Sequence, residues 1–114
     1  MRHMLRVTRE GAEPESDAPD PSRVLDGAPR FTTWNIEQTD KGLFAGLWRA
    51  TPGKWMIAYD EWEYFHVLEG RSVVTPDGGD PVELGPGDSY VLRPGFKGTW
   101  EVIETTLKEY VILS

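Results

Sequence analysis

A chain of 114 residues points to one domain with a modest core. Its formal charge of −7 opposes nucleic acid or an anionic membrane surface as the main partner, because both attract basic proteins. Cysteine is absent, which excludes disulfides, thiolate metal sites and thiol chemistry.

Residues 1–22 differ in composition from the rest. The opening residues carry charges but no apolar core of signal-peptide length, and no later run is long enough to span a bilayer. A soluble cytoplasmic protein is therefore the expectation. The stretch GAEPESDAPDPS has no large apolar side chain and cannot bury enough surface to offset its ordering entropy. It reads as a flexible N-terminal arm, or as one laid on a partner subunit through Met4, Leu5 and Val7. The folded domain is expected over residues 23–114.

From residue 23 the pattern is β. Short apolar and β-branched runs recur between turn signals, and strands are predicted over 31–38, 43–51, 55–59, 63–69, 71–75, 81–84, 89–92, 98–105 and 107–113. The turns have specific chemistry: Pro76-Asp77-Gly78-Gly79 carries the Asp-Gly pair that tolerates the positive φ of tight hairpins. No stretch has helical periodicity. Many short antiparallel strands in one small domain predict an all-β sandwich or barrel. Five Trp, four Tyr and four Phe suit an interior that must be filled by large side chains.

Residues 53–70 (GKWMIAYDEWEYFHVLEG) concentrate aromatic bulk and acid. With VLEG at 67–70 and GPGDSYVLRPG at 85–95, they resemble the paired motifs of the cupin superfamily, a double-stranded β-helix or jelly-roll barrel. The wording of GLWRATPGKW (46–55), GPGDSYVLRPGFKGTWEV (85–102) and ETTLKEYVI (104–112) is similar to small single-domain cupins grouped with (S)-ureidoglycine aminohydrolase and the ethanolamine-utilisation cupins. That resemblance implies a jelly roll over most of residues 24–113. It is far less specific for activity, since one fold hosts many functions.

The resemblance also implies a metal site, whose slots can be counted. Counting back from Gly70 puts Glu63 in the glutamate slot and the two histidine slots at Ile57 and Tyr59, or at Met56 and Ala58. Counting forward from Gly53 puts them at Tyr59 and Glu61. In the second motif Gly87 and Gly95 fit, Arg93 holds the proline slot and Gly98 the histidine slot. One glutamate is left where several imidazoles are expected, and transition metals favour nitrogen donors. His66 lies an odd number of positions from Glu63 on one predicted strand and so faces the other way. No cofactor is expected. A hard cation held by Glu61, Glu63 and water is the weaker alternative.

Strand alternation nominates a pocket in its place. Trp55, Ile57 and Tyr59 share a face; so do Glu63, Phe65 and Val67; so do Lys108 and Tyr110. Trp100 shares parity with Gly98. Glu63 and Glu61 are the candidate acid/base residues, and Trp55, Tyr59, Arg93, Trp100, Lys108 and Tyr110 the candidate ligand contacts. A buried Glu63 needs a partner, either Lys108 or Arg93. No histidine is expected to serve Ser72 or Ser89, which excludes a serine nucleophile.

Three readings follow. The first is a cupin without the usual metal that binds a small polar or carboxylated metabolite. The second is a hydrolase or isomerase of the ureidoglycine aminohydrolase type using Glu63. The third is an interaction module with its barrel filled by Trp48, Trp55 and Trp100. A homodimer is expected, because a small barrel leaves strand edges to cover.

Overall fold

The structure, a computed structural model, describes residues 3–114. Nine strands follow in chain order: β1 (Glu15–Asp17), β2 (Val24–Gly27), β3 (Phe31–Gln38), β4 (Leu43–Ala50), β5 (Gly53–Ala58), β6 (Trp62–Pro76), β7 (Val82–Leu84), β8 (Ser89–Leu92) and β9 (Lys97–Leu113). Two single 3₁₀ turns, Arg9–Gly11 and Pro21–Arg23, are the only helical pieces among the described residues. None is long or apolar enough to cross a membrane.

All pairings are antiparallel and form one continuous sheet. The order β1-β3-β4-β9-β5-β2 makes one arm, and β6 joins β9 to β7 and β8. β9 is central. Its C-terminal half pairs with β4 and its N-terminal half with β5, while β6 runs along its other edge. The sheet curls around its inner face, as a jelly roll requires.

Two predicted breaks are bends within strands. The 63–69 and 71–75 segments are one strand, and so are 98–105 and 107–113. The register between β6 and β9 shifts three times between Val67 and Ser72. Gly70, at φ +89°, absorbs the corner. A Cβ there would lie 2.1 Å from the Thr105 carbonyl oxygen, so glycine also permits the close approach of the two strands. The buried hydroxyls of Ser72 and Thr106 hydrogen-bond at 2.7 Å at this corner, and Thr106 Oγ1 donates to the Glu104 carbonyl at 2.9 Å, which makes Ser72 the donor of the pair.

β1 and β2 were not foreseen. β1 has no apolar residue and all three side chains are exposed. Only its backbone ladder to Phe31–Thr33 places it, and composition does not report a ladder. Ahead of it, Ala12 packs on an outer cluster of Trp34, Leu47 and Leu107. The Arg49 guanidinium lies 5.0 Å from the Trp34 ring centre on that face. Leu5 and Val7 lie beside Ile36 and Ala45 of the same chain.

The main core lies inside the curl. Trp55, Phe65, Val67, Val74, Leu84, Leu92, Trp100 and Val102 are all buried there. The alternation in β6 sends Glu63, Phe65 and Val67 inward and leaves Tyr64 and His66 on the outer face.

Candidate functional site

One end of the curl is not filled. A cavity of about 490 Å³ remains, bounded by the inward residues of β3, β4, β5 and β9 and by the segment joining β5 to β6. Its walls are aromatic. Phe31 meets Trp48 and Trp55 with ring centres 5.0 Å apart, and Trp48 meets Trp100 edge-on at 5.7 Å. Tilted and edge-on contacts of this kind are favourable beyond the area they bury.

The floor is charged. Glu63 and Lys108 are only 2 % and 4 % exposed; in the β6–β9 ladder Glu63 stands opposite Ile112 and Lys108 opposite Val67, so the two long side chains reach each other diagonally. Lys108 Nζ lies 2.9 Å from Glu63 Oε2. The same ammonium sits 4.5 Å from the Trp48 ring centre, 4.7 Å from Phe65 and 4.6 Å from Trp100. Three π faces and one carboxylate thus replace its water shell. The Tyr59 hydroxyl donates to Glu63 Oε1 at 2.7 Å, so both carboxylate oxygens are engaged. Burial, reinforced by the charge and hydrogen bond of Glu63, pushes the Tyr59 phenol well above its ordinary value.

Toward solvent the lining becomes polar. The Tyr110 hydroxyl donates to Asn35 Oδ1 at 2.8 Å, and Asn35 Nδ2 donates to Gln38 Oε1 at 3.1 Å. Burial, with Glu63 and Glu15 nearby, raises Tyr110 to about 12. Glu61 is half-buried at the rim, and exposed Glu15 of β1 lies opposite. Burial first, then the charges of Glu63 and Asp60, raise the Glu61 carboxyl above its ordinary value. One buried polar atom of the described residues is unsatisfied: Trp100 Nε1–H has no acceptor.

Seven of the sequence-nominated residues line this one cavity: Trp55, Tyr59, Glu61, Glu63, Trp100, Lys108 and Tyr110. Arg93 does not. It is exposed, beside Trp62, Val91, Pro94 and Phe96 on a separate hollow. Leu92 points inward opposite Glu63, so its neighbour Arg93 must point out. Counting motif slots obscured that parity. Asn35 escaped notice, although it shares parity with Phe31 and Thr33 on β3. Glu15 carried no sequence signal.

A second expectation is corrected on the outer face. β6 and β8 place His66 opposite Ser89, and His66 Nδ1 lies 2.6 Å from Ser89 Oγ. The Tyr64 hydroxyl is 3.3 Å from the same oxygen. Histidine therefore does reach Ser89, but on an exposed sheet face away from the cavity. Glu109, opposite His66 in the ladder, makes no hydrogen bond or ion pair to the ring. No acid orients the imidazole, and the group is not a nucleophilic triad.

The donor set does not fit the metal that the fold implies. No group of three His, Cys, Asp or Glu side chains among the described residues could hold an ion. Beside Glu63 stands the Lys108 ammonium, a cation already. At Gly98, the position counted as a histidine slot, a Cβ would lie 2.2 Å from the Thr75 carbonyl oxygen. Position 98 lacks room for any side chain, because β6 and β9 close on each other there.

A curled, wholly antiparallel sheet around one inner cavity defines the cupin jelly roll. More narrowly, the EutQ-like cupin domain matches residues 37–110, and the chain belongs to that family. Among solved structures, a protein of unknown function of the DUF861 family from Pseudomonas syringae is similar at TM-score 0.79 and 25% identity, over 88% of this chain and 43% of that one. The Clostridium difficile EutQ protein aligns at TM-score 0.68 and 18% identity, over 96% of this chain and 80% of that one. A putative ethanolamine utilization protein from Salmonella typhimurium aligns at TM-score 0.63 and 17% identity, over 90% and 96%. This chain thus spans less than half the length of the Pseudomonas protein. No curated protein matches it.

Proposed function

We propose that this EutQ-like cupin binds a small polar molecule in its inner cavity without a transition metal. The observation that carries the reading is the Glu63–Lys108 pair at the floor of a cavity of about 490 Å³. An internal ammonium takes the place beside the carboxylate where a metal cation would compete. The cavity is of a size that suits a small metabolite, and its lining is largely apolar with a few converging polar groups.

The geometry favours binding over chemistry at Glu63. Both of its oxygens are engaged and the residue is only 2 % exposed, which leaves little room for proton exchange with a substrate. The aromatic residues wall the cavity without closing it, which opposes a purely structural module. A homodimer belongs to the same proposal: Tyr64, Leu68 and Val91 on the outer face of β6 and β8 are available to a second copy.

Elemental analysis of purified protein, run beside a ligand-observed NMR screen of small polar metabolites, tests the reading. Substoichiometric metal together with at least one specific binder supports it. Stoichiometric Fe, Ni, Mn or Zn overturns the metal-independent part, and a wholly unreceptive cavity overturns the binding part. Light scattering of a monomer at every concentration removes the dimer.

A further inference from the structure

We propose that the ligand of this cavity is a small organic cation. The inference rests on the reading of the cavity as a small-molecule site and narrows it to a chemical class.

Charge comes first. Three carboxylates line the cavity, from Glu15, Glu61 and Glu63, against one lining cation, Lys108. Lys108 is consumed by Glu63 at 2.9 Å, which leaves Glu61 and Glu15 at the rim with no ion pair among the described residues. Arg93, which could have received a carboxylated ligand, faces another hollow. An anion would therefore meet two like charges and, among the described residues, no free cation.

Hydrogen-bonding capacity points the same way. The hydroxyls of Tyr59 and Tyr110 each spend their proton within the protein, on Glu63 and Asn35. What they retain for a ligand is lone pairs. The walls add the faces of Phe31, Trp48 and Trp55, and aromatic faces attract cations. The cavity already holds one ammonium in this manner: Lys108 rests against three rings within 4.7 Å. The protein thus uses for its own side chain the recognition that the rest of the lining offers to a guest.

The cationic end belongs among the half-buried and exposed carboxylates of the rim.

An isosteric series separates the terms. Choline carries a quaternary ammonium and a hydroxyl; neohexanol replaces the nitrogen by carbon; tert-butylacetate reverses the charge. Each is titrated against the full chain by ligand-observed NMR and tryptophan fluorescence. Choline should bind at least about ten-fold more tightly than neohexanol, and tert-butylacetate more weakly than both. Glu61→Gln should weaken choline about five-fold while leaving neohexanol unchanged, with Glu15→Gln as the second, fully exposed variant. If tert-butylacetate binds as well as choline, or if neither variant moves the choline affinity, this inference falls and the small-molecule reading stands. If none of the three binds, this inference falls, and the small-molecule reading is decided separately by the broader metabolite screen.

Discussion

Replacing Lys108 by Met removes one charge and keeps most of the side chain's length and apolar volume. Glu63 is then a buried carboxylate whose remaining described partner is the Tyr59 hydroxyl. Breaking a buried pair on one side costs about 3–5 kcal/mol. Chemical denaturation should therefore show Lys108→Met less stable than the parent by about 3–5 kcal/mol at pH 7. For a chain of this size the loss at pH 7 corresponds to about 15 °C in Tm. Adding Glu63→Gln to the variant should recover most of it, since two neutral residues leave no stranded charge. A deficit below about 1 kcal/mol at pH 7 would refute the description of the pair as buried and mutually dependent.

Glu61 should show the opposite economy. Its carboxyl is raised, so the folded chain loses stability as pH climbs through 4.5 and above. Glu61→Gln should accordingly raise Tm at pH 7 and leave it unchanged well below pH 4.5; an equal gain at both would show that the cause is not ionisation. Tyr110, raised from 10 to about 12, holds its proton more tightly when folded, so the parent should lose stability between those two pH values and Tyr110→Phe should lose less, read by denaturation across that window. Gly98→Ala should lower Tm markedly because its Cβ meets backbone at 2.2 Å, whereas Gly85→Ala, with open space around the new methyl, should be neutral or slightly stabilising. Equal effects at the two glycines would contradict the close approach of β6 and β9.

Much of this was legible in the sequence because strand alternation is a strict rule. Trp55, Ile57 and Tyr59 were placed on one face by parity alone, and they line one cavity wall. Glu63 was expected to meet Lys108 or Arg93, and Lys108 is the partner. Where the reading failed, a local rule gave way to something non-local. Gly70 looked like the end of a strand, but a bulge carries β6 around a corner that only its partner β9 reveals. Arg93 was placed by its motif position, when its neighbour Leu92, opposite Glu63, decides which way it points. His66 and Ser89 are far apart in the chain, and only the pairing of β6 with β8 joins them. β1 was hidden most deeply, because backbone hydrogen bonds leave no trace in side-chain composition.

The tight contact at Gly98 bears on how the site could change over time. Here a histidine at position 98 would have to displace the carbonyl of Thr75, and with it the pairing of β6 and β9, before it could donate a nitrogen. Every intermediate with a side chain at that position meets the same wall. The cavity is therefore held by backbone sterics as well as by its charges: a step toward metal coordination through that position requires remodelling two strands at once.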